Sequence, residues 1–220
     1  MRRISGAVFQ SLDGVMQAPG GPAEDPTGGF DLGGWLTSYF DETLGSTMEE
    51  LFSPPFDLLL GRKTYEIFAA HWPYATGDEA ALGTLFTRAG KYVLTRDHIP
   101  LVWENSHALR DIEAVAALKA TPGPDLLIQG SSTLYPALLR HQLLDQITIL
   151  TFPVVLGQGK RLFGNETPSG AFTMTDHQLS SKGVLIARYE PNGPVPLGSF
   201  QHAQPSEREI ARQERMRREG

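Results

Sequence analysis

The order of apolar runs in this chain predicts a three-layer α/β fold, with a mostly parallel central sheet and an antiparallel hairpin at its C-terminal edge. Three observations carry that expectation. Two runs, LLLGRKTYEIF over 58–68 and LLIQGSSTLYPALL over 126–139, each end at a glycine and open into helical periodicity, the pattern of a buried strand feeding a helix. Strand-like and helix-like segments alternate from the N-terminus to about residue 152. Beyond that the chain turns β-rich and closes with two strand-like runs around a short polar turn.

Taken in order, Ile4–Phe9 reads as the first strand, and residues 17–30 (QAPGGPAEDPTGGF) are too rich in Gly and Pro to be anything but a loop. A loop of that length inside a compact domain is more often functional than decorative. Trp35, Leu36, Tyr39, Phe40, Thr43, Leu44, Thr47, Met48 and Leu51 recur at helical spacing and predict a helix over 35–52, stopped by Pro54 and Pro55. Asp57–Gly61 is the next strand, followed by a helix through Tyr65, Ile67 and Phe68 that ends near Pro73. A short helix over 76–89, a strand over 91–95 and an extended piece over 101–103 come next. Ile112, Val115, Ala116 and Leu118 give a helix over 111–120, closed by the TPGP turn. Strand 126–129 then feeds a helix over 132–144. Strands over 146–152, 171–179 and 184–190 follow, the last two joined through 180–183 as a hairpin.

Composition bounds what the chain can do. Its 220 residues, 40% hydrophobic, suffice for one domain with a full core. A net charge of −6 argues against nucleic acid or an anionic membrane as the main ligand, so any basic patch is local. The absence of cysteine excludes disulfides, thiolate metal sites and cysteine nucleophiles. MRRISGAVFQSLDG fails as a signal peptide and no run reaches bilayer length, so a cytoplasmic protein is expected. The histidines at 71, 98, 107, 141, 177 and 202 show no metal-ligand spacing, and no metal is expected. Over 206–220 Glu and Arg alternate with little apolar content, which reads as a solvated or partly helical tail.

The junctions hold the most informative chemistry. Arg62, Lys63 and Thr64 follow Gly61 where a helix begins, and two cations with a hydroxyl at a helix N-terminus suit a phosphate. Taken alone, this is equally a solvent-facing basic turn. Gly130, Ser131, Ser132 and Thr133 offer close backbone approach and three hydroxyls, although a serine N-cap accounts for them as well. Thr95 and Arg96 stand just past another strand end. Ligands of such sheets bind at the carboxyl ends of strands, where all three fragments fall. Neither a Walker A loop, a Rossmann G-x-G-x-x-G nor a nucleophile elbow is present.

In order and spacing, LLLGRKTYEIF, KYVLTR (91–96) and LLIQGSSTLYPALL resemble the dihydrofolate reductase superfamily, in particular its branch related to the riboflavin-biosynthesis reductase domain. SLDGVMQAPGG (11–21) and FPVVLGQGKRLF (152–163) are similar to that branch's N- and C-terminal signatures, and the likeness runs from about Arg3 to Tyr189. The resemblance implies one reductase domain over 1–198, a charged tail over 199–220, and NADPH as cofactor. It puts Gly61, Arg62, Lys63 and Thr64 on the turn for the 2′-phosphate and pyrophosphate, Thr95 and Arg96 beside the adenosine ribose, and Gly130, Ser131, Ser132 and Thr133 on the pyrophosphate turn. Gln129 departs from the glycine common there. Ala7, Val15 and Met16 correspond to the nicotinamide pocket and its mobile loop, with core packing as the competing reading for them.

The reaction implied is hydride transfer to a C=N or C=O group of a pyrimidine- or pterin-like small molecule, as in 5-amino-6-(5-phosphoribosylamino)uracil reductase. Such a reaction needs a proton source as well as orientation. True dihydrofolate reductases place a carboxylate early on the first helix, and here none falls cleanly on that position. Asp41 is the best candidate, against the reading that it belongs to a solvated helical face. Asp13 is a further substrate-side candidate, although Asp-Gly is most often a turn. Gly157 and Gly159, beside Lys160 and Arg161, would take a substrate phosphate unless they form a surface turn. Among Trp35, Tyr39, Phe40, Tyr65 and Trp72, one or two are expected in the pocket, Tyr39 foremost. The competing function is an inactive NADPH-binding or sensing protein, and a true dihydrofolate reductase is disfavoured. A homodimer through an edge strand such as 184–190 stays open.

Overall fold

A computed structural model of the chain describes residues 1–98, 100–200 and 204–219; His202 and the rest of 201–203 lie outside them. In chain order the elements are β1 (Ile4–Ser11), α1 (Glu42–Phe52), β2 (Phe56–Gly61), α2 (Arg62–His71), α3 (Ala80–Arg88), β3 (Lys91–Leu94), β4 (Ser106–Leu109), α4 (Ile112–Ala120), β5 (Asp125–Gln129), α5 (Leu134–Arg140), β6 (Gln146–Phe152), β7 (Phe172–Leu179), β8 (Leu185–Pro191) and α6 (Glu207–Glu219). The eight strands form one sheet in the order β4-β3-β2-β5-β1-β6-β8-β7. Pairings are parallel from β4 through β6, and antiparallel between β6 and β8 and between β8 and β7. The predicted fold class is therefore the observed one.

Alternation along the central strands divides the core. Ile4, Val8, Leu126, Ile128 and Ile147 face α4 and α5, where Val115, Leu134, Tyr135 and Leu138 cover them. Leu58, Leu60, Val93 and Leu127 point the other way, onto Tyr65 of α2 and Phe86 of α3. Leu150, Phe152 and Ile186 pack with Leu44 of α1 on that same side of the molecule. Each large apolar side chain buried this way contributes roughly 1.5–3 kcal/mol, against about 1 for a net hydrogen bond, so burial holds the layers and polar contacts shape the turns. At one point the packing dictates glycine: a Cβ on Gly6 would lie 2.5 Å from Tyr135 Oη, whose ring crosses β1.

Three predicted boundaries need correction. The helix expected over 35–52 starts at Glu42, because Asp41 is extended (φ −144°, ψ −179°) and its carboxylate accepts the Leu44 N–H. Ahead of it, Thr37–Tyr39 form a single 3₁₀ turn, so the apolar spacing of Trp35, Leu36 and Tyr39 serves loop packing instead. Leu101–Trp103 is no strand; Trp103 is buried with its N–H donating to Tyr65 Oη, and the edge strand is β4, whose half-exposed sequence SHAL carries little apolar signal. The helix expected to reach Leu144 stops after Arg140, since Gln142 takes a left-handed φ of +54°. The tail includes α6, with no buried side chain.

Candidate active site

A cleft of about 530 Å³ opens at the carboxyl ends of β2, β3 and β5, within the roughly 300–1,000 Å³ usual for small-molecule sites. One wall is made by Gly61–Thr64, Leu94–Asp97 and Gln129–Thr133; the other by Met16–Pro19, Glu24, Asp25 and Lys160. Phe9, Ile67 and Phe68 supply apolar surface.

The two predicted phosphate turns are joined directly. The Gly61 N–H donates to Ser131 Oγ (2.9 Å), and the Ser131 N–H donates to Thr64 Oγ1 (3.1 Å). The reciprocal bonds require consecutive left-handed residues, Gly130 at φ +62° and Ser131 at φ +53°; glycine adopts this freely, and serine does so at a cost that the hydroxyl bond offsets. Because α5 has only seven residues, this turn relies on its own N–H and hydroxyl groups and not on a long helix dipole. Around it the cations gather. Lys63 and Arg96 are exposed and, among the described residues, in no ion pair, while Arg62 Nε donates to Glu66 (2.8 Å) one turn along α2.

The opposite wall is a loop fastened by side chains. Trp35 Nε1 donates to the Gln17 carbonyl (2.8 Å); Gln17 Nε2 donates to the carbonyls of Asp25 (2.9 Å) and Thr27 (2.8 Å), and Gln17 Oε1 accepts the Lys160 N–H (3.1 Å). Lys160 Nζ pairs with Asp25 and donates to Thr27 Oγ1 (2.9 Å). Burial works to raise Asp25, but the bonds from Lys160 and Thr27 outweigh it and leave its pKa lowered. Glu24 is the opposite case: burial raises its pKa from the ordinary carboxylate value, although Oε2 accepts the Gly20 N–H (2.7 Å).

Of the sequence-predicted residues, Met16, Gly61, Arg62, Lys63, Thr64, Thr95, Arg96, Gly130, Ser131, Ser132 and Thr133 converge on this cleft. The rest lie elsewhere. Ala7 and Val15 are buried, Val15 with Ala18 and Phe30 in a small cluster of its own. Asp41, the expected catalytic carboxylate, is committed to the N–H of Leu44 and to Ser181 Oγ (2.7 Å), which bring its pKa down to about 2; it ties α1 to the β7–β8 turn and is not a cleft residue. Tyr39 meets Phe152 edge-on at 6.1 Å, and none of the five nominated aromatics lines the cleft, where Phe9 and Phe68 stand instead.

Asp13 is likewise outside. Bonds from Ser11 Oγ (2.6 Å) and the N–H groups of Leu156 (3.0 Å) and Gly157 (2.9 Å) lower it to about 2, and with the Arg161 ion pair they close the turn that holds Gly157 and Gly159. That turn's two cations are thus already matched, Arg161 by Asp13 and Lys160 by Asp25, which argues against a phosphate there. Phe9, Gln17, Glu24, Asp25, Ile67, Phe68 and Gln129 also line the cleft and were not expected from the sequence. For Ile67 and Phe68 the signal is present, one turn beyond Thr64 on the same helix face; for Gln129 it is a lone polar residue ending an apolar strand.

Sheet order, the single reversed strand and a cleft at the parallel strand ends define a dihydrofolate reductase-like α/β protein. The RibD C-terminal domain model matches residues 3–186, and the chain belongs to that family. A Bacillus subtilis (strain 168) protein, the uncharacterized YyaP, is 29% identical over 198 residues, covering 87% of this chain and 96% of its own. Among solved structures, a Shewanella sp. PV-4 protein described as a candidate riboflavin biosynthesis protein superposes with TM-score 0.60 at 20% identity (86% of this chain, 99% of that one). Dihydrofolate reductase from Enterococcus faecalis, complexed with NADP(H) and RAB-propyl, gives 0.53 at 14% identity (86% and 96%). A pyrimidine reductase-like protein from Corynebacterium diphtheriae gives 0.54 at 11% (87% and 92%). At these identities the structures speak for the fold alone. Among the described residues no helix is long and apolar enough to cross a membrane.

Proposed function

We propose that the protein is an NADPH-dependent reductase that sends a hydride to a C=N or C=O group of a pyrimidine- or pterin-like small molecule, in the manner of 5-amino-6-(5-phosphoribosylamino)uracil reductase. The observation that carries the reading is the convergence of Arg62, Lys63 and Arg96 on a cleft that also holds the clasped pair of turns at Gly61 and Gly130. A donor set of cations, backbone N–H groups and hydroxyls fits a phosphorylated dinucleotide. Arg62, Lys63 and Arg96 would hold the 2′-phosphate, with Thr64 and Thr95 beside them, and Gly130–Thr133 the pyrophosphate. When bound, the dihydronicotinamide supplies the hydride. Met16, Phe9, Ile67 and Phe68 give the cleft apolar surface that would keep water from the reacting atoms. Glu24, raised by burial in the cleft wall, is the carboxyl suited to hold the proton that the reduced atom takes up. A cytoplasmic location and a homodimer belong to the same reading; the strand open for pairing at the antiparallel edge is β7, because β8, which overlaps the 184–190 expected as an edge strand, is paired on both sides by β6 and β7.

One observation favours a second reading. With Asp41 spent on Leu44 and Ser181, α1 contributes no carboxylate to the cleft, as expected of a protein that binds NADPH without turnover. Calorimetric titration with NADPH and NADH, followed by NADPH oxidation assays across pyrimidine, pterin and aldehyde substrates, separates them. Binding with oxidation supports the reductase, binding without oxidation on any substrate supports the sensor, and no binding by the wild type refutes both.

A further inference from the structure

Gln129 ends β5 in the wall of the cleft and is 5% exposed. Its Nε2 is buried and, among the described residues, makes no hydrogen bond. By strand alternation it shares the row of Leu127, which packs among apolar side chains, and its register partner on β1 is the small, buried Ala7. The position could therefore have been filled by an aliphatic side chain, as at Leu126, Leu127 and Ile128 before it. A primary amide kept there without a partner is a standing cost to the free protein, of the kind retained where a ligand supplies the missing bond. Three other polar side chains of the cleft are committed elsewhere: Ser131 and Thr64 to the clasp between turns, and the Gln17 amide to Asp25, Thr27 and Lys160. Tyr135 Oη is also buried and unpartnered, but its ring packs in the cluster on the other sheet face and lines no part of the cleft.

We infer that Gln129 is a specificity residue whose amide hydrogen-bonds a carboxamide or lactam edge of a planar heterocycle held in the cleft. A glutamine amide presents a donor and an acceptor side by side, the complement of such an edge, and an aliphatic residue in its place would not distinguish that edge from a hydrocarbon one. Two ligands carry the chemistry: the nicotinamide carboxamide, for which the inference rests on the cofactor reading above, and the ring of a uracil-type substrate, for which it does not.

Two variants test it. Gln129→Met keeps length and packing and removes the amide, and Gln129→Glu keeps the shape and removes the donor, so the second serves if the first fails to fold. Each is titrated calorimetrically with NADP⁺, with 2′,5′-ADP, which has no nicotinamide, and with 5,6-diaminouracil in the presence and absence of NADP⁺. The expected result is a loss of about tenfold in affinity for the ligand that carries the edge, with 2′,5′-ADP within twofold of wild type. A loss on NADP⁺ assigns the contact to the cofactor, and a loss on 5,6-diaminouracil alone assigns it to the substrate. Binding of all three ligands within twofold of wild type by a folded variant overturns the inference. If the wild type takes up neither nucleotide, the cofactor reading fails by itself, and Gln129 stands or falls on the 5,6-diaminouracil arm, where unchanged or absent binding counts against it.

Discussion

The two walls of the cleft are built in opposite ways. The strand-end wall is made of short segments, 61–64, 95–96 and 130–133, each held by the strand before it, and its decisive polar contacts are the two bonds of the Ser131 clasp. The loop wall has no regular element at its core; it hangs from the small cluster of Val15, Ala18 and Phe30 and from polar side chains that reach across the chain, such as Asp13 to Leu156, 143 positions away. The first wall inherits the rigidity of the sheet and suits a fixed, charged ligand. The second depends on ion pairs and N–H bonds to carboxylates, contacts that acid can remove.

The sharpest break between the walls is expected in cofactor choice. Arg62→Ala and Arg96→Ala should each weaken NADPH by about tenfold to a hundredfold, as loss of a charge-assisted bond worth roughly 1.5–3 kcal/mol implies, and leave NADH nearly unchanged. Equal losses for both cofactors in calorimetry would remove the 2′-phosphate assignment. Next, Ser131→Ala strands the Gly61 N–H and should destabilise the fold by about 1–3 kcal/mol in urea melts. Ser131→Gly should cost less, since relief from the left-handed φ offsets part of the lost bond, by roughly 1 kcal/mol. A glycine variant no better than the alanine one would show that the turn holds no strain.

Acid should act on the loop wall. Asp13 titrates near 2 in the folded protein because the Ser11 hydroxyl and the Leu156 N–H favour its carboxylate. A depressed folded pKa means that its contribution is full above the ordinary carboxylate value, about 4, and fades as pH falls toward 2. Wild-type melts should therefore drop between those limits more than melts of Asp13→Asn, and parallel curves would contradict the assignment. The smallest effect belongs to Asp41→Ala: a slight fall in Tm from the lost cap and Ser181 contact, with NADPH affinity unchanged. A large loss of NADPH binding or turnover in that variant would restore Asp41 to the cleft.

What the sequence makes legible follows the same division. The strand-to-helix junctions are encoded within a dozen residues by an apolar run, a glycine and helical spacing, so Gly61–Thr64 and Gly130–Thr133 can be read from the local sequence alone, as can the terminal hairpin around Gly183. The loop wall is encoded by pairs such as Gln17 with Lys160, and nothing near Gln17 says that its amide will meet residue 160. Asp41 misleads for a related reason. A helical apolar pattern extends back to Trp35, yet Asp41's side chain competes for the backbone as a cap, and the turn before it packs the aromatics onto Phe152. Strand β4 is silent in the sequence because an edge strand pairs by backbone and needs little apolar signal.

That the two junctions form one dinucleotide site is tested most directly by hydrogen exchange of the wild-type protein with and without saturating NADPH. Peptides covering 61–65 and 130–134 should both become protected, together and at the same NADPH concentration. Protection confined to one junction, or binding of NADPH that protects neither, would contradict the account.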